Sequence, residues 1–262
     1  MAERYAATAS GRNGTVMPEQ SEPRLRGRHP LLRYWAGSFL IFFCLAGAWS
    51  FAQPIGAAND EPAQLVKAAS VARGQILGAT ITPAILARLS PQNRAALHYC
   101  ELVSGVERCN KALTAVTVPR SFALYVAPTC DTTLQQYPAG CSYGLSGSQQ
   151  PTLVTDYVGR YPPLYYGIVG LPSLVLENDA AVYAMRLVSG ALSAALLALA
   201  LAVAAVWSRN RLLVVAVATA ATPMVFVFGS VVNSSGIEVA AAACVWTGGL
   251  LLFLDHSRKP PT

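Results

Sequence analysis

The run YAMRLVSGALSAALLALALAVAAVW, from Tyr183 to Trp207, is the stretch that decides the fold. It carries one charged side chain, Arg186, close to its start. A helix needs about 20 mostly apolar residues to cross the roughly 30 Å hydrocarbon core of a bilayer. We therefore predict a transmembrane helix here, in which the small residues Ser189, Gly190 and Ser193 let another helix pack closely.

The composition of the whole chain is typical of a membrane protein. Of 262 residues, 53% are hydrophobic and 12% are charged, which is too apolar for an ordinary soluble domain. Three further stretches are apolar enough to span: Tyr34 to Ala52, Leu212 to Val232 with a kink at Pro223, and Ile237 to Leu254. The predicted fold class is mainly α, a polytopic helical membrane protein with about four transmembrane helices.

The net charge of +6 is confined to short segments beside the apolar stretches. Segment 1–33 holds six Arg against three Glu, the turn at 208–211 holds two Arg, and segment 255–262 is also basic. Because such charge stays cytoplasmic, we predict a multi-pass plasma-membrane protein with both termini inside and a disordered tail over 1–33. The first span is interpreted as an uncleaved signal anchor, although Ser50-Phe51-Ala52 also resembles a cleavage site. No basic stripe interleaved with aromatic residues remains, so nucleic acid is not an expected partner.

Residues 53–180 form a predicted extracytoplasmic loop domain of mixed α/β character. Asn59-Asp60-Glu61-Pro62 opens a predicted helix that runs from Ala63 to Gln75, because Asn or Asp caps helices and Pro suits the first turn. One or two strands are expected between Leu113 and Val126, where β-branched residues are frequent. The apolar segment 164–176 is short for a crossing, and we predict a re-entrant or interfacial helix there.

Four of the six cysteines fall in the loop domain: Cys100, Cys109, Cys130 and Cys141. An even number of thiols in an oxidising compartment predicts two disulfides. Three connectivities are possible, and we favour the local one, which joins Cys100 to Cys109 and Cys130 to Cys141. Free thiols or a zinc site are less favoured, because there is no C-x-x-C pair and no histidine at a metal-ligand spacing.

Several motifs, taken in order, resemble the predicted membrane proteins of domain-of-unknown-function family 2142 (DUF2142). They are Asp60-Glu61-Pro62-Ala63-Gln64, Gly159-Arg160-Tyr161-Pro162-Pro163-Leu164-Tyr165-Tyr166, Tyr183-Ala184-Met185-Arg186-Leu187-Val188-Ser189, Thr222-Pro223-Met224 and Val232-Asn233-Ser234-Ser235-Gly236-Ile237-Glu238. Members of that family usually continue through many more spans, so beside them this chain looks truncated. It also reads Asn-Ser-Ser-Gly at 233–236, where the family tends to show Asn-Pro-Asn-Gly.

The family in turn resembles the GT-C superfamily, membrane glycosyltransferases that use polyprenyl-phosphate-linked sugars. This resemblance implies a carboxylate general base in the first outer loop, Asp60 first and Glu61 second, in some members with a divalent metal. It implies that Arg160 and Arg186 bind phosphate, since a guanidinium holds two phosphate oxygens at once. Further candidate substrate contacts are Tyr161, Tyr165 and Glu238. The implied function is sugar transfer at the outer membrane face during cell-envelope polysaccharide assembly.

Each candidate also has a structural interpretation. Asp60 and Glu61 suit the start of a helix as a cap and a dipole partner. Arg160 and Arg186 suit pairing with nearby acids, and Glu238 suits a helix start. The alternative function is a non-catalytic or truncated membrane subunit whose outer domain binds a partner. A transporter is less favoured, because the spans have almost no charge at mid-depth.

Overall fold

A computed structural model of the chain describes residues 30–58, 60–123, 148–208 and 211–254. Most of the predicted tail, the predicted bridge between Cys130 and Cys141, and the C-terminal segment lie outside the described residues. The elements in chain order are α1 (Pro30–Ala52), α2 (Glu61–Ala72), α3 (Pro83–Arg88), α4 (Pro91–Ser104), α5 (Val106–Ala112), β1 (Thr114–Pro119), α6 (Arg120–Ala123), β2 (Pro151–Asp156), α7 (Pro163–Gly170), a 3-10 helix (Leu171–Leu174), α8 (Asn178–Trp207), α9 (Arg211–Ala220), α10 (Pro223–Gly229) and α11 (Ser234–Leu254).

The apolar helices form a bundle around α8, which packs along α1 and against α11. Small residues make the closest helix contacts. A methyl group placed on Gly190 would lie 3.3 Å from the Cβ of Ala46 on α1, and one on Gly229 would lie 3.3 Å from the Cβ of Ser193. The predicted role of Gly190 and Ser193 in close helix packing is therefore confirmed.

The predicted third span is not one continuous helix. α9 and α10 meet at a bend of 57°, because Pro223 has no N–H to continue the helix and its ring crowds the preceding turn. Among the described residues, three helices are long and apolar enough to cross a membrane, or four if the bent pair is one span. The kink at Pro223 is confirmed, whereas the count of four helices stays a prediction.

α2 is the central helix of the loop domain. Every side chain from Gln64 to Ser70 is buried, and the helix packs against α7, β1, α6 and the 3-10 helix. It ends at Ala72 because Gly74 takes the left-handed conformation. The helix predicted to reach Gln75 is therefore too long. Ile76 and Leu77, which follow the helix, are exposed.

β1 pairs with β2 in antiparallel register, from Thr114 opposite Asp156 to Pro119 opposite Pro151. The other edge of β1 is occupied by a side chain. The amide of Gln75 donates to the Thr117 carbonyl oxygen over 2.5 Å and accepts from the Thr117 N–H over 2.7 Å. β1 lies within the segment from Leu113 to Val126 where a strand is predicted, whereas β2 is not among the predicted strands.

α4 and α5 are joined by a disulfide between Cys100 and Cys109, whose Cα atoms lie 5.7 Å apart. This confirms the local pairing for one of the two predicted bridges. The described cysteines in the apolar helices, Cys44 and Cys244, are free thiols, and Cys44 is exposed on α1. A bridge of this kind persists in an oxidising compartment and is rare in the cytosol.

The side of the membrane on which the loop domain lies can be tested through this bridge. In membranes alkylated with a mass-tagged maleimide, we expect wild-type protein to gain two more tags after reduction than a Cys100→Ser, Cys109→Ser double variant gains. The thiols are protected only while the disulfide is intact, and an extracytoplasmic domain keeps it so. Equal labelling of these two thiols before and after reduction would place the domain in a reducing compartment.

The segment predicted as a re-entrant or interfacial helix at 164–176 is two short pieces, α7 and the 3-10 helix. α7 has 8 residues and packs on α2. A methyl group on Gly170 would lie 2.1 Å from the Ala68 carbonyl oxygen, so only glycine allows this approach. One apolar core runs from α2 and the two strands through α7 into the start of α8. The loop domain and the bundle are thus continuous.

Candidate functional site

The feature that joins the loop domain to the bundle is an ion pair between Glu61 and Arg186, both fully buried. Arg186 Nε donates to Glu61 Oε1 and one Nη donates to Glu61 Oε2, each over 2.6 Å. The remaining guanidinium hydrogens go to the carbonyl oxygens of Ser50, Gln53 and Pro54 at 2.7 to 2.9 Å. All five guanidinium donors are therefore used within the protein.

The Glu61 carboxylate is also saturated. Oε2 accepts from the Gly56 N–H over 3.0 Å, and Oε1 accepts from the Val232 N–H over 3.4 Å. The pair thus connects the end of α1, the start of α2, α8 and the segment before α11. The sequence-based candidates Glu61 and Arg186 are brought together, and they bind each other.

Asp60 precedes Glu61 but points to the surface. Its backbone has φ 63°, a left-handed conformation that Asp tolerates better than most residues. It is the N-cap of α2 by position, yet its side chain makes no capping hydrogen bond. The Tyr157 hydroxyl donates to Asp60 Oδ1 over 2.5 Å instead. Burial, followed by this bond and the Asp60 charge, raises the pKa of Tyr157, so the phenol stays protonated and a donor.

A second polar chain runs from α7 into the bundle. The Asn233 N–H donates to the Tyr165 hydroxyl oxygen over 2.9 Å. The Tyr165 hydroxyl is hydrogen-bonded to Ser189 Oγ over 2.8 Å, and Ser189 donates to the Val231 carbonyl oxygen over 2.9 Å. Because Ser189 has one proton to give, Tyr165 is the donor to it. Tyr165 is buried at this junction, and its hydroxyl is occupied by these bonds.

The remaining candidates lie on the surface. Arg160 and Tyr161 are exposed on the turn that follows Tyr157, and Tyr161 interacts electrostatically with Tyr157. Glu238 is exposed just beyond the first turn of α11. It interacts electrostatically with Tyr166, whose hydroxyl donates to Gln64 Oε1 on α2. Asp60, Tyr157 and Tyr161 form one surface group, which we call the Asp60 surface, and Arg160 lies on the same turn.

A divalent metal is not supported by the part of the chain that the structure describes. No three His, Cys, Asp or Glu side chains there are close enough together to hold an ion. The two neighbouring candidate acids have different partners: Glu61 binds Arg186 in the interior, and Asp60 accepts a hydrogen bond from Tyr157 at the surface.

Two buried charges were not among the sequence-based candidates. Lys67 is in the middle of α2 and is fully buried, and Asp156 at the end of β2 is 2% exposed. Lys67 Nζ donates to the carbonyl oxygens of Gly159 and Ile76 over 2.7 and 2.8 Å. A lysine amid Leu65, Val66 and two alanines was the available sequence signal, but its partners are backbone atoms that sequence does not reveal.

The chain is thus a helical membrane protein with an ordered loop domain that a buried ion pair fixes to its helix bundle. The chain belongs to the family described as predicted membrane protein (DUF2142), whose sequence profile matches residues 42–261. No curated protein and no solved structure gives a significant match. The resemblance seen in the ordered motifs is therefore confirmed at the level of the family.

Proposed function

We propose that this protein transfers sugar from a polyprenyl-phosphate donor at the outer face of the plasma membrane, in a reaction of GT-C type, with Asp60 as general base. The observation that carries the proposal is the placement of Asp60. Its neighbour Glu61 is held against Arg186 where α1 ends and α8 begins, so Asp60 lies at the end of the membrane-crossing helices. That is the level at which a lipid-linked phosphate is found.

The Asp60 surface offers the groups that such a transfer needs. A carboxylate takes the proton from an acceptor hydroxyl as the hydroxyl oxygen attacks the sugar carbon. Tyr157 fixes the orientation of the Asp60 carboxylate through its 2.5 Å hydrogen bond. Arg160 is the candidate cation for the departing phosphate, because every donor of Arg186 is already occupied. Tyr157 and Tyr161 offer exposed rings on which a sugar can stack.

The test is an Asp60→Asn variant assayed in membrane vesicles with a panel of radiolabelled polyprenyl-phosphate hexoses. Asn keeps the size of the side chain and tolerates the left-handed backbone, so folding is preserved. We expect transfer to fall by about 10² to 10⁴-fold, the usual contribution of a general base. Glu107→Gln is the control, since Glu107 is an exposed acid paired with Lys111 elsewhere in the loop domain. Equal transfer by wild type and Asp60→Asn would remove Asp60 from the site.

A second candidate function is favoured by the buried pair itself. The candidates for general base and phosphate binding are Asp60, Glu61, Arg160 and Arg186. Glu61 and Arg186 neutralise each other, so neither has a free atom for substrate. In this alternative the protein is a non-catalytic membrane subunit whose outer domain binds a partner. It predicts no transfer by wild type with any donor in the panel. It also predicts that Asp60→Asn leaves a complex isolated from native membranes intact.

A further inference from the structure

Asp156 is a buried acid with one oxygen unpaired. Its Oδ1 accepts from the Val158 N–H over 3.0 Å. Its Oδ2 has no hydrogen-bond partner, although the residue is 2% exposed. A buried carboxylate without full pairing is costly, and binding a proton is the usual way in which a protein lowers that cost.

The nearest compensating charge is Lys67, but its hydrogen bonds go to backbone. Lys67 interacts electrostatically with Asp156 without forming a direct ion pair in the structure. Its ammonium instead donates to the carbonyl oxygens of Gly159 and Ile76. The loop domain therefore encloses one acid and one base that interact electrostatically, neither of which the surface chemistry uses.

Asp156 and Lys67 both hydrogen-bond to the backbone of the same turn, residues 156–161. Asp156 Oδ1 holds the Val158 amide, Thr114 Oγ1 donates to the Asp156 carbonyl oxygen over 2.9 Å, and Lys67 holds the Gly159 carbonyl oxygen. This turn carries Tyr157, whose hydroxyl holds Asp60. A change in charge at Asp156 thus acts directly on the segment that positions the Asp60 surface.

We propose that Asp156 is a proton-binding site inside the loop domain, with Lys67 as its charged partner, and that release of this proton loosens the 156–161 turn. The proposal does not depend on the transfer reaction. Burial, opposed by the Val158 hydrogen bond and the Lys67 charge, raises the pKa of Asp156 from 3.8 to about 7. The proton therefore leaves in the range of pH that an extracytoplasmic domain meets.

The phenols around Asp156 stay protonated over this range, and Lys67 affects stability with the opposite sign. Tyr157 and Tyr166 interact electrostatically with it, and burial raises the pKa of both phenols. The neighbouring elements contribute uncharged groups to β2: Thr114 of β1 donates to the Asp156 carbonyl oxygen, and Asn93 of α4 accepts from Thr155. Burial lowers the pKa of Lys67, so the contribution of Lys67 to stability rises with pH, opposite in sign to that of Asp156.

The sign of the pH effect follows from linkage. A carboxyl whose pKa is higher in the folded protein stabilises the fold fully in acid, and that stability is lost as pH rises towards the folded value. Between about pH 5 and pH 8 we therefore expect the thermal unfolding midpoint of the wild-type protein in detergent to fall. Over the same range, hydrogen-exchange protection of peptide 156–161, corrected for intrinsic rates, is expected to fall several-fold.

Asp156→Asn removes the titration while keeping the shape of the side chain. We expect its protection at 156–161 to be the same at both ends of the pH range, whereas Glu107→Gln keeps the wild-type pH dependence. Lys67→Met is expected to move the transition to higher pH, because the Lys67 charge favours the ionised acid. A transition unchanged in Asp156→Asn would overturn the proposal.

One measurement needs only the wild-type protein, in case a variant does not fold. The infrared band of a protonated carboxylic acid is expected at pH 6, where ordinary Asp and Glu are already ionised. The band is expected to disappear by about pH 8, as Asp156 loses its proton. Absence of the band at pH 6 would show that Asp156 is ionised throughout, and a band that persists unchanged to pH 8 would show that its proton is not released in this range. Either result would also overturn the proposal.

Discussion

Replacing Arg186 with alanine is expected to remove a large share of the stability of the folded protein. The substitution leaves the fully buried Glu61 carboxylate without its cation and takes donors away from the carbonyl oxygens of Ser50, Gln53 and Pro54. Breaking a buried ion pair from one side costs about 3 to 5 kcal/mol, a large share of the 5 to 15 kcal/mol typical of a folded domain. The measurement is the yield of monodisperse protein in detergent and its thermal unfolding midpoint.

The matched control is Arg160→Ala, which truncates an exposed arginine of the loop domain. Its unfolding midpoint is expected to stay close to that of wild type. Arg186→Lys is expected to be intermediate, since lysine keeps the charge and loses the planar fork. A double variant, Glu61→Leu with Arg186→Met, is expected to be less destabilised than Arg186→Ala, because no charge is left buried. Equal midpoints for Arg186→Ala and Arg160→Ala would mean that the buried pair contributes little.

Replacing Gly170 with alanine is expected to separate α7 from α2. The new methyl group would lie 2.1 Å from the Ala68 carbonyl oxygen and 2.8 Å from its carbon, and backbone atoms cannot rotate away. α2 has little freedom to move, because its buried side chains Glu61 and Lys67 are bonded to other parts of the protein. Overpacking of this kind costs about 1 to 3 kcal/mol and sometimes more. Thermal unfolding and protease sensitivity of the loop domain measure the effect.

Gly167 provides the control on the same helix. A methyl group there would meet only Val71, at 3.7 Å, which is an ordinary contact. Gly167→Ala is expected to be neutral or slightly stabilising, because alanine favours helix by up to about 1 kcal/mol over glycine. If both alanine variants unfold at the same temperature, close approach at Gly170 is not what holds α7 in place.

Local sequence signals predicted a good part of this fold. Thr82 and Ser90, each followed by proline, predict helix starts, and both cap helices through their side chains. The cysteines at 100 and 109 are close enough in sequence for the local pairing to be preferred. Pro223 predicts the bend between α9 and α10. Each of these signals acts over a few residues, so no knowledge of the tertiary fold was needed.

The candidate site depends on contacts that are distant in sequence, and here prediction was weaker. Glu61 and Arg186 were assigned separate roles, because 125 positions separate them and their charges do not reveal a shared burial. The assignments of Asp60, Arg160, Tyr161, Tyr165 and Glu238 to a substrate stay predictions. Lys67 was missed because a helix buried on every side has no solvent-facing period to interpret.

The contact between the Gln75 side chain and β1 also reduces the risk of aggregation. A two-stranded sheet normally has an open edge, and such an edge recruits strands from other chains and starts aggregation. Here the carboxamide of Gln75 occupies both hydrogen-bonding groups of Thr117, and the bridge between Ala79 and Ala115 occupies the next position along β1. The loop domain therefore protects the free edge of β1 against pairing with a strand of another chain.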